Sequence, residues 1–258
     1  MINKEYMKRL IIQSGLECTD EFVEKLDLYA TLLVEWNEKM NLTAITEPND
    51  ICVKHFLDSL LPFTIIELEQ GTKVIDVGTG AGLPGVVMKL YRPDIELTLL
   101  DSLVKRVKFL EHLCENLGIE AKCIHSRAED GARCTKECNN DENMPLRESF
   151  DVAIARAVAG LPVLFEYLLP YVKVGGKLLA LKGKAVYDEV KASGQACRLL
   201  GGERAQLIDY TLSAGNCGKL DTQNPTQDND RVLVLVQKIS HTPTKYPRNS
   251  AQIAKKPL

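Results

Sequence analysis

The stretch Val74-Ile75-Asp76-Val77-Gly78-Thr79-Gly80-Ala81-Gly82 decides the fold of this chain. A short β-branched run carries an acid and is followed by glycines at every second position. Such a run predicts a buried parallel strand feeding a tight turn and then a helix. Glycine serves the turn twice: it tolerates positive φ, and without a Cβ it lets backbone N–H groups approach a ligand. The stretch alone leaves its ligand open. Gly80-Ala81-Gly82-Leu83-Pro84-Gly85 fits the G-x-G-x-x-G dinucleotide fingerprint, with Asp101 at the distance of a ribose-binding acid.

The same residues fit a second pattern, D-x-G-x-G-x-G, that of S-adenosylmethionine-dependent methyltransferases. The remainder of the chain separates the two. From Lys73 onward, strand-like segments at 73–77, 95–100, 121–125, 150–155 and 177–182 alternate with helical patterns at 84–91, 103–117, 160–171 and 184–200. Strands separated by helical crossovers predict a parallel sheet covered on both faces. The alternation stops after residue 200. Residues 203–212 and 231–238 read as two more strands with no helix between them, which predicts an antiparallel pair at one edge. An α/β, Rossmann-like sheet of the class I methyltransferase type is expected: mostly parallel, seven-stranded, with an antiparallel last pair.

Ahead of the sheet, Phe22, Leu26, Tyr29, Leu33, Trp36 and Met40 recur every three or four residues. They predict one amphipathic helix over 20–40, with Asp20 placed to cap it. Glu47-Pro48-Asn49-Asp50 offers a second helix start, running to Pro62 through Ile51, His55, Phe56, Asp58 and Leu60. Residues 1–70 therefore read as an N-terminal helical cap, 71–240 as the cofactor-binding domain and 241–258 as a basic C-terminal tail. Residues 131–149 and 213–230 are polar and poor in apolar side chains, and are expected as loops inserted at the surface.

A chain of 258 residues, 45% hydrophobic and 26% charged, can bury a full α/β core. No apolar run approaches a membrane span, and Met1-Ile2-Asn3-Lys4-Glu5 has no signal-peptide core, so a cytoplasmic protein is expected. The eight cysteines are expected as reduced thiols. Cys134 and Cys138 form the tightest pair, but a zinc site needs two such pairs, so no metal is expected. Residues 1–70 hold thirteen acids against six Lys and Arg, whereas beyond Asp230 every charged side chain is basic. A solvated tail is the ordinary reading of such an end. A polyanion such as RNA is the partner it would attract.

Chemistry-bearing residues fall where strands end. Asp101 closes the second strand, where a carboxylate can accept hydrogen bonds from both ribose hydroxyls, although Asp101 or Ser102 could instead cap the following helix. Glu129 and Asp130 follow the third strand, near the place of an adenine ring. Arg156 follows the fourth, at the edge of the cofactor crevice. No Asn/Asp-Pro-Pro-aromatic run follows the fourth strand, and no Pro-Cys or Thr-Cys pair is present there. Both absences suit an acceptor that loses no proton. Guanine N7 is such an atom, with a lone pair exposed on the major-groove edge.

Taken in order, these segments resemble the RsmG (GidB) family, whose members methylate guanine N7 in bacterial 16S ribosomal RNA. The resemblance is carried by Trp36-Asn37, by Met40-Asn41-Leu42-Thr43-Ala44-Ile45 and by His55-Phe56-Leu57-Asp58-Ser59-Leu60. It continues through Asp76 to Gly85, Asp101-Ser102-Leu103-Val104-Lys105-Arg106, Arg127-Ala128-Glu129 and Ala155-Arg156-Ala157-Val158-Ala159. Gly175-Gly176-Lys177, Leu181-Lys182-Gly183, Tyr246-Pro247-Arg248 and Lys256-Pro257-Leu258 complete it. The resemblance implies S-adenosylmethionine as cofactor, held at Gly78, Leu83, Ala128, Glu129 and Arg156. The sheet pattern adds Asp76, Gly80, Gly82, Asp101 and Ser102. RNA contacts are expected at His55, Lys105, Arg106, Lys182 and Arg248, with 16S ribosomal RNA or the small subunit as partner, a monomeric enzyme and no assigned catalytic side chain. The chain departs from the family at Leu83, where an aromatic is common, in its longer insertions and in Asn249-Ser250-Ala251-Gln252. The readings held against this one are a NAD-dependent oxidoreductase, resting on Gly80 to Gly85, and a non-catalytic RNA-binding module.

Overall fold

In the computed structural model, which describes residues 1–133, 146–212 and 229–258, the chain opens with two helices, α1 (Lys4–Gln13) and α2 (Asp20–Met40). Helix α2 has the expected span, but its cap is Thr19 rather than Asp20. The Thr19 hydroxyl accepts from Phe22 N at 3.2 Å, and Asp20 already sits in the first turn, where its charge suits the helix dipole. Helix α1 lacks a signal in the pattern reading, yet Met7, Leu10 and Ile11 bury one face of it. Residues Pro48–Asp50, Ile51–Leu57 and Asp58–Leu60 form one continuous helical run. Its middle segment is wound as a π-helix, and the Glu47 side chain caps the start. Such widened turns are rare and cluster at functional sites.

The sheet follows: β1 (Lys73–Val77), β2 (Glu96–Asp101), β3 (Ala121–His125), β4 (Phe150–Arg156), β5 (Val172–Gly183), β6 (Gln206–Thr211) and β7 (Asp230–Gln237). Their order across the sheet is β3-β2-β1-β4-β5-β7-β6. The first five strands pair in parallel, and β7 runs antiparallel to both β5 and β6. The expected seven-stranded sheet with its antiparallel closing pair is present. Between the strands lie α3 (Gly85–Tyr91), α4 (Val104–Leu117), α5 (Ala128–Arg133), α6 (Leu161–Leu168) and α7 (Val186–Leu199), and α8 (Ser250–Lys255) lies in the tail.

Two boundaries move for physical reasons. Strand β5 begins at Val172 instead of 177, through a stretch where Lys173, Val174 and Gly175 are exposed and carry no alternation. Helix α6 stops at Leu168, and Leu169–Tyr171 tightens into a 3-10 turn where Pro170 offers no N–H. The expected insertions shrink. Gly131 and Ala132 are buried in α5, and the Arg147 guanidinium donates to the carbonyls of Tyr246 and Thr242 at 2.8 and 2.7 Å. Cys134 and Cys138, like most of 213–230, lie outside the described residues. Among those that are described, no group of three His, Cys, Asp or Glu side chains is placed to hold a metal, and no helix is long and apolar enough to cross a membrane.

One face of the sheet packs on α1, α2, the helical run and α3 and α4. Tyr29, Leu33, Phe56, Leu97, Leu99 and Phe109 are fully or almost fully buried there. The other face carries α6 and α7, with Phe165, Leu168, Tyr171 and Leu178 at its centre. Each such side chain removed from water contributes about 1.5–3 kcal/mol. The N-terminal helices thus share a continuous core with the sheet.

Candidate active site

Strand order reverses at β1, whose neighbours are β2 on one side and β4 on the other. Ligands of such sheets bind outside the carboxyl ends at this reversal, and there the glycine turn leaves β1. Gly78, Gly80 and Gly82 all take positive φ, of 70°, 59° and 91°. The N–H groups of Gly78 and Thr79 donate to Leu100 O at 2.8 and 3.2 Å, tying the turn to β2. A Cβ at Gly82 would lie 2.8 Å from Val86 Cγ2 and 2.9 Å from the Tyr29 hydroxyl oxygen, so only glycine fits.

Asp76 is fully buried behind the turn. Its Oδ2 accepts from Thr79 Oγ1 at 2.6 Å and from Gly85 N at 2.8 Å. Its Oδ1 is the buried side-chain polar atom left without a partner among the described residues. Burial outweighs the two hydrogen bonds and raises the carboxyl pKa to about 6. A Cβ at Gly85 would lie 2.8 Å from Asp76 Oδ2. Gly85 thus lets the start of α3 pack directly on the Asp76 carboxylate of β1.

Asp101 is almost fully buried at the end of β2. It caps no helix in the ordinary sense. Its Oδ2 accepts from Gly80 N and its Oδ1 from Leu103 N, both at 2.9 Å, so one carboxylate joins the glycine turn to the entry of α4. Next to it opens a cavity of about 300 Å³, lined by Gly78, Ser102, Ala128, Glu129, Val158, Tyr167 and Ser250 among others. Tyr171 holds the β3–α5 corner in place by donating to Ala128 O at 2.6 Å. Of the expected cofactor residues, Gly78, Ser102, Ala128 and Glu129 meet on this cavity. Asp76, Gly80, Gly82, Leu83 and Asp101 build the turn beside it, and Leu83 is buried.

Arg156 does not line this cavity, although its charge acts on Asp76 behind the turn. It lies on a second opening of about 560 Å³, on the β5 side of β4, with Lys54, His55, Asp58, Lys182 and Arg231. Its Nη1 donates to Lys54 O at 2.9 Å and to Asp58 Oδ2 at 3.1 Å, and its Nη2 lies 3.3 Å from His55 Nδ1. An arginine has only donors, so His55 Nδ1 accepts and Nε2 carries the proton toward Thr43 Oγ1 at 2.9 Å. Burial first, and the Arg156 charge second, lower the His55 pKa to about 4. The Asp58 Oδ1 accepts from the Tyr210 hydroxyl at 2.9 Å and lies 3.7 Å from Arg231 Nε.

The basic residues expected to meet RNA divide into two sets. Lys105 is exposed on the first turn of α4, beside the half-buried Arg106, whose Nη1 lies 3.5 Å from Asp101 Oδ2. His55, Lys182 and Arg248 are instead engaged internally. Lys182 Nζ donates to Ala159 O at 2.9 Å and pairs with Glu189 at 3.1 Å. Arg248 closes on the fully buried Glu166 through Nε at 2.9 Å, Nη2 at 2.6 Å and its own backbone N at 2.8 Å. Lys238, also in the basic end, is buried, donating to Leu169 O and Thr242 Oγ1 at 2.7 and 2.6 Å. Sequence reasoning missed Tyr29, Asp58, Glu166, Tyr167, Tyr210 and Ser250. Only Asp58 had a signal, an acid standing within an apolar helical stretch.

Comparison with known proteins agrees with this architecture. Residues 22–213 match the model of the GidB family, described as rRNA small subunit methyltransferase G. A protein of Clostridium botulinum strain Alaska E43 named ribosomal RNA small subunit methyltransferase G is 46% identical over 245 residues, covering 95% of this chain and 94% of its own. Its namesake in Alkaliphilus metalliredigens is 43% identical over 259 residues, with both chains covered completely. Among solved structures, a chain of the complex between the Haloferax volcanii Trm112 methyltransferase activator and its methyltransferase superposes with a TM-score of 0.52 at 12% identity. It covers 81% of this chain and 98% of that one. A predicted O-methyltransferase of Agrobacterium tumefaciens gives 0.50 at 18% identity, covering 72% and 80%. The oxidoreductase reading falls with these matches. The protein has the Rossmann-like fold of class I methyltransferases, uses S-adenosylmethionine, and belongs to the GidB family of small-subunit ribosomal RNA methyltransferases.

Proposed function

We propose that this protein transfers the methyl group of S-adenosylmethionine to N7 of a guanine in 16S ribosomal RNA of the small subunit. The observation that carries the reading is the cavity beside the glycine turn, in which Gly78, Ser102, Ala128 and Glu129 converge. The relatives' name supplies the RNA class. The donor set fits the cofactor. A buried carboxylate with one unpartnered oxygen at Asp76 suits a cationic ligand, and the missing Cβ atoms of the turn leave room for a methionyl chain. Ser102 and Asp101 would hold the ribose, Ala128 and Glu129 the adenine, and Gly78, Gly80, Gly82 and Leu83 the methionyl part.

When bound, the cofactor supplies an electrophilic methyl group on sulfur. Guanine N7 attacks with a lone pair and loses no proton, so in-line placement matters more than a base. The protein agrees with that requirement. The imidazole of the second opening, His55, has both ring nitrogens engaged and stays neutral well below neutral pH. Arg156 stands at the β4 end, on the wall of the second opening. Lys105 and Arg106 on the first turn of α4 would meet the RNA backbone. A monomer working in the cytoplasm is in keeping with the reading.

The test is incorporation of labelled methyl groups from S-adenosylmethionine into naked 16S RNA, isolated small subunits and assembly intermediates. Label in the RNA of at least one of the three is expected. Its absence from all of them would overturn the reading, and RNA binding without transfer would favour the non-catalytic module.

A further inference from the structure

The two openings at the sheet edge are joined by a single strained residue. Arg156 and Ala157 line the opening of about 560 Å³, Val158 lines the cofactor cavity of about 300 Å³, and the chain turns from one to the other at Ala157, with φ of 55°. Among non-glycine residues this left-handed conformation costs about 1–2 kcal/mol, and such strain gathers at functional sites where the surroundings hold it in place. Here the outcome of the strain is visible: consecutive side chains of one loop serve two different openings.

The larger opening also has its own chemistry. Lys54, Arg156, Lys182 and Arg231 reach its walls against two acids, Asp58 and Glu189. Both acids are occupied, Asp58 by Arg156 and Tyr210, and Glu189 by Leu161 N at 2.6 Å and Lys182 at 3.1 Å. Lys54 pairs in turn with Asp50 at 3.2 Å, so four cations face three acids and one positive charge is left over, on walls that Ile45, Leu181 and Val186 make partly apolar. The N-terminal helices supply one side of it and the ends of β4 and β5 the other.

We infer that this cleft receives the target itself, a purine nucleotide turned out of single-stranded RNA, whose base meets the methyl donor across Ala157. The inference rests on the methyl transfer proposed above. A reacting base and a sulfonium methyl must come within about 3–3.5 Å along one line, and the two openings are walled by adjacent residues, Ala157 and Val158. Its basic walls suit the phosphates flanking an extruded nucleotide, which fix position without reading sequence. Lys182 and Arg231 hold those walls in place through Glu189 and Asp58, so the positive field comes from an ordered frame.

Filling the cleft tests this without touching the cofactor turn. A Cβ added at Gly183 meets nothing within 4 Å, and Ala185, exposed at the start of α7, lines a different part of the same cleft. Gly183→Trp and Ala185→Trp should bind S-adenosylhomocysteine within about twofold of the wild type. Their kcat/KM on small-subunit RNA should fall at least about a hundredfold. Gly194→Trp, at an open glycine of α7 that does not line the cleft, should remain fully active. Wild-type transfer rates in either cleft variant with normal cofactor binding would overturn the inference. If Gly183→Trp loses the cofactor, Ala185→Trp decides alone. A wild-type enzyme that transfers no methyl would instead overturn the proposed function, and this inference with it.

Discussion

The Tyr29 hydroxyl donates a 2.6 Å hydrogen bond to the Ala81 carbonyl, so a helix of the N-terminal region braces the glycine turn from behind. Both groups are buried and 52 residues apart in sequence. Tyr29→Phe keeps the ring packed against Phe56 but leaves the carbonyl without its donor. A buried group stranded in this way costs about 1–3 kcal/mol. Urea unfolding should show a loss of that size, and equilibrium dialysis should show weaker S-adenosylmethionine binding. Unchanged values in both would separate the helix from the site.

Arg248 was the tail residue expected to touch RNA, yet it is latched to Glu166. Two residues on, Ser250 lines the cofactor cavity and lies 3.4 Å from Arg127 Nη1. Arg248→Ala leaves a buried carboxylate unpaired, a loss of about 3–5 kcal/mol in comparable pairs. The variant should melt earlier and bind S-adenosylmethionine more weakly, while the salt dependence of RNA binding stays at the wild-type slope. An RNA contact would give the reverse pattern, a shallower slope with normal cofactor affinity.

Acid should pull on His55 and Asp76 in opposite directions. The His55 pKa is lowered in the fold to about 4, against 6.5 for an exposed histidine. As pH falls through that window the unfolded chain takes up the proton first, so His55 makes the protein less stable. The Asp76 pKa is raised to about 6, against 3.8. The stability it contributes is therefore complete below the lower value and lost as pH rises through the upper one. Between about pH 6 and 4, Asp76→Asn should steepen the decline in urea midpoint on acidification, and His55→Gln should flatten it. Parallel profiles for both variants and the wild type would contradict the assignment.

Much of this was legible from pattern alone, because α2 buries one periodic face and β1 is a continuously buried run, and the sequence displays both directly. The start of β5 was not, since its first residues are exposed and nothing alternates there. Asp101 was placed correctly at a strand end, but its two backbone donors, Gly80 N and Leu103 N, become visible only when β1 and β2 lie side by side. Asp58 and Tyr210 are 152 residues apart and meet only because β6 closes the sheet edge over the N-terminal helices. The basic end misled for a related reason. Charge counted along the chain takes Arg231, Lys238 and Arg248 for free cations, whereas tertiary contacts place an acid beside each.

The most direct measurement is the chemical identity of the methylated nucleoside. Small-subunit RNA modified by the purified protein with labelled S-adenosylmethionine should be digested to nucleosides and resolved by chromatography and mass spectrometry. Labelled 7-methylguanosine is the predicted product. Label on another base, on another guanine atom or on a ribose hydroxyl would contradict the proposed function.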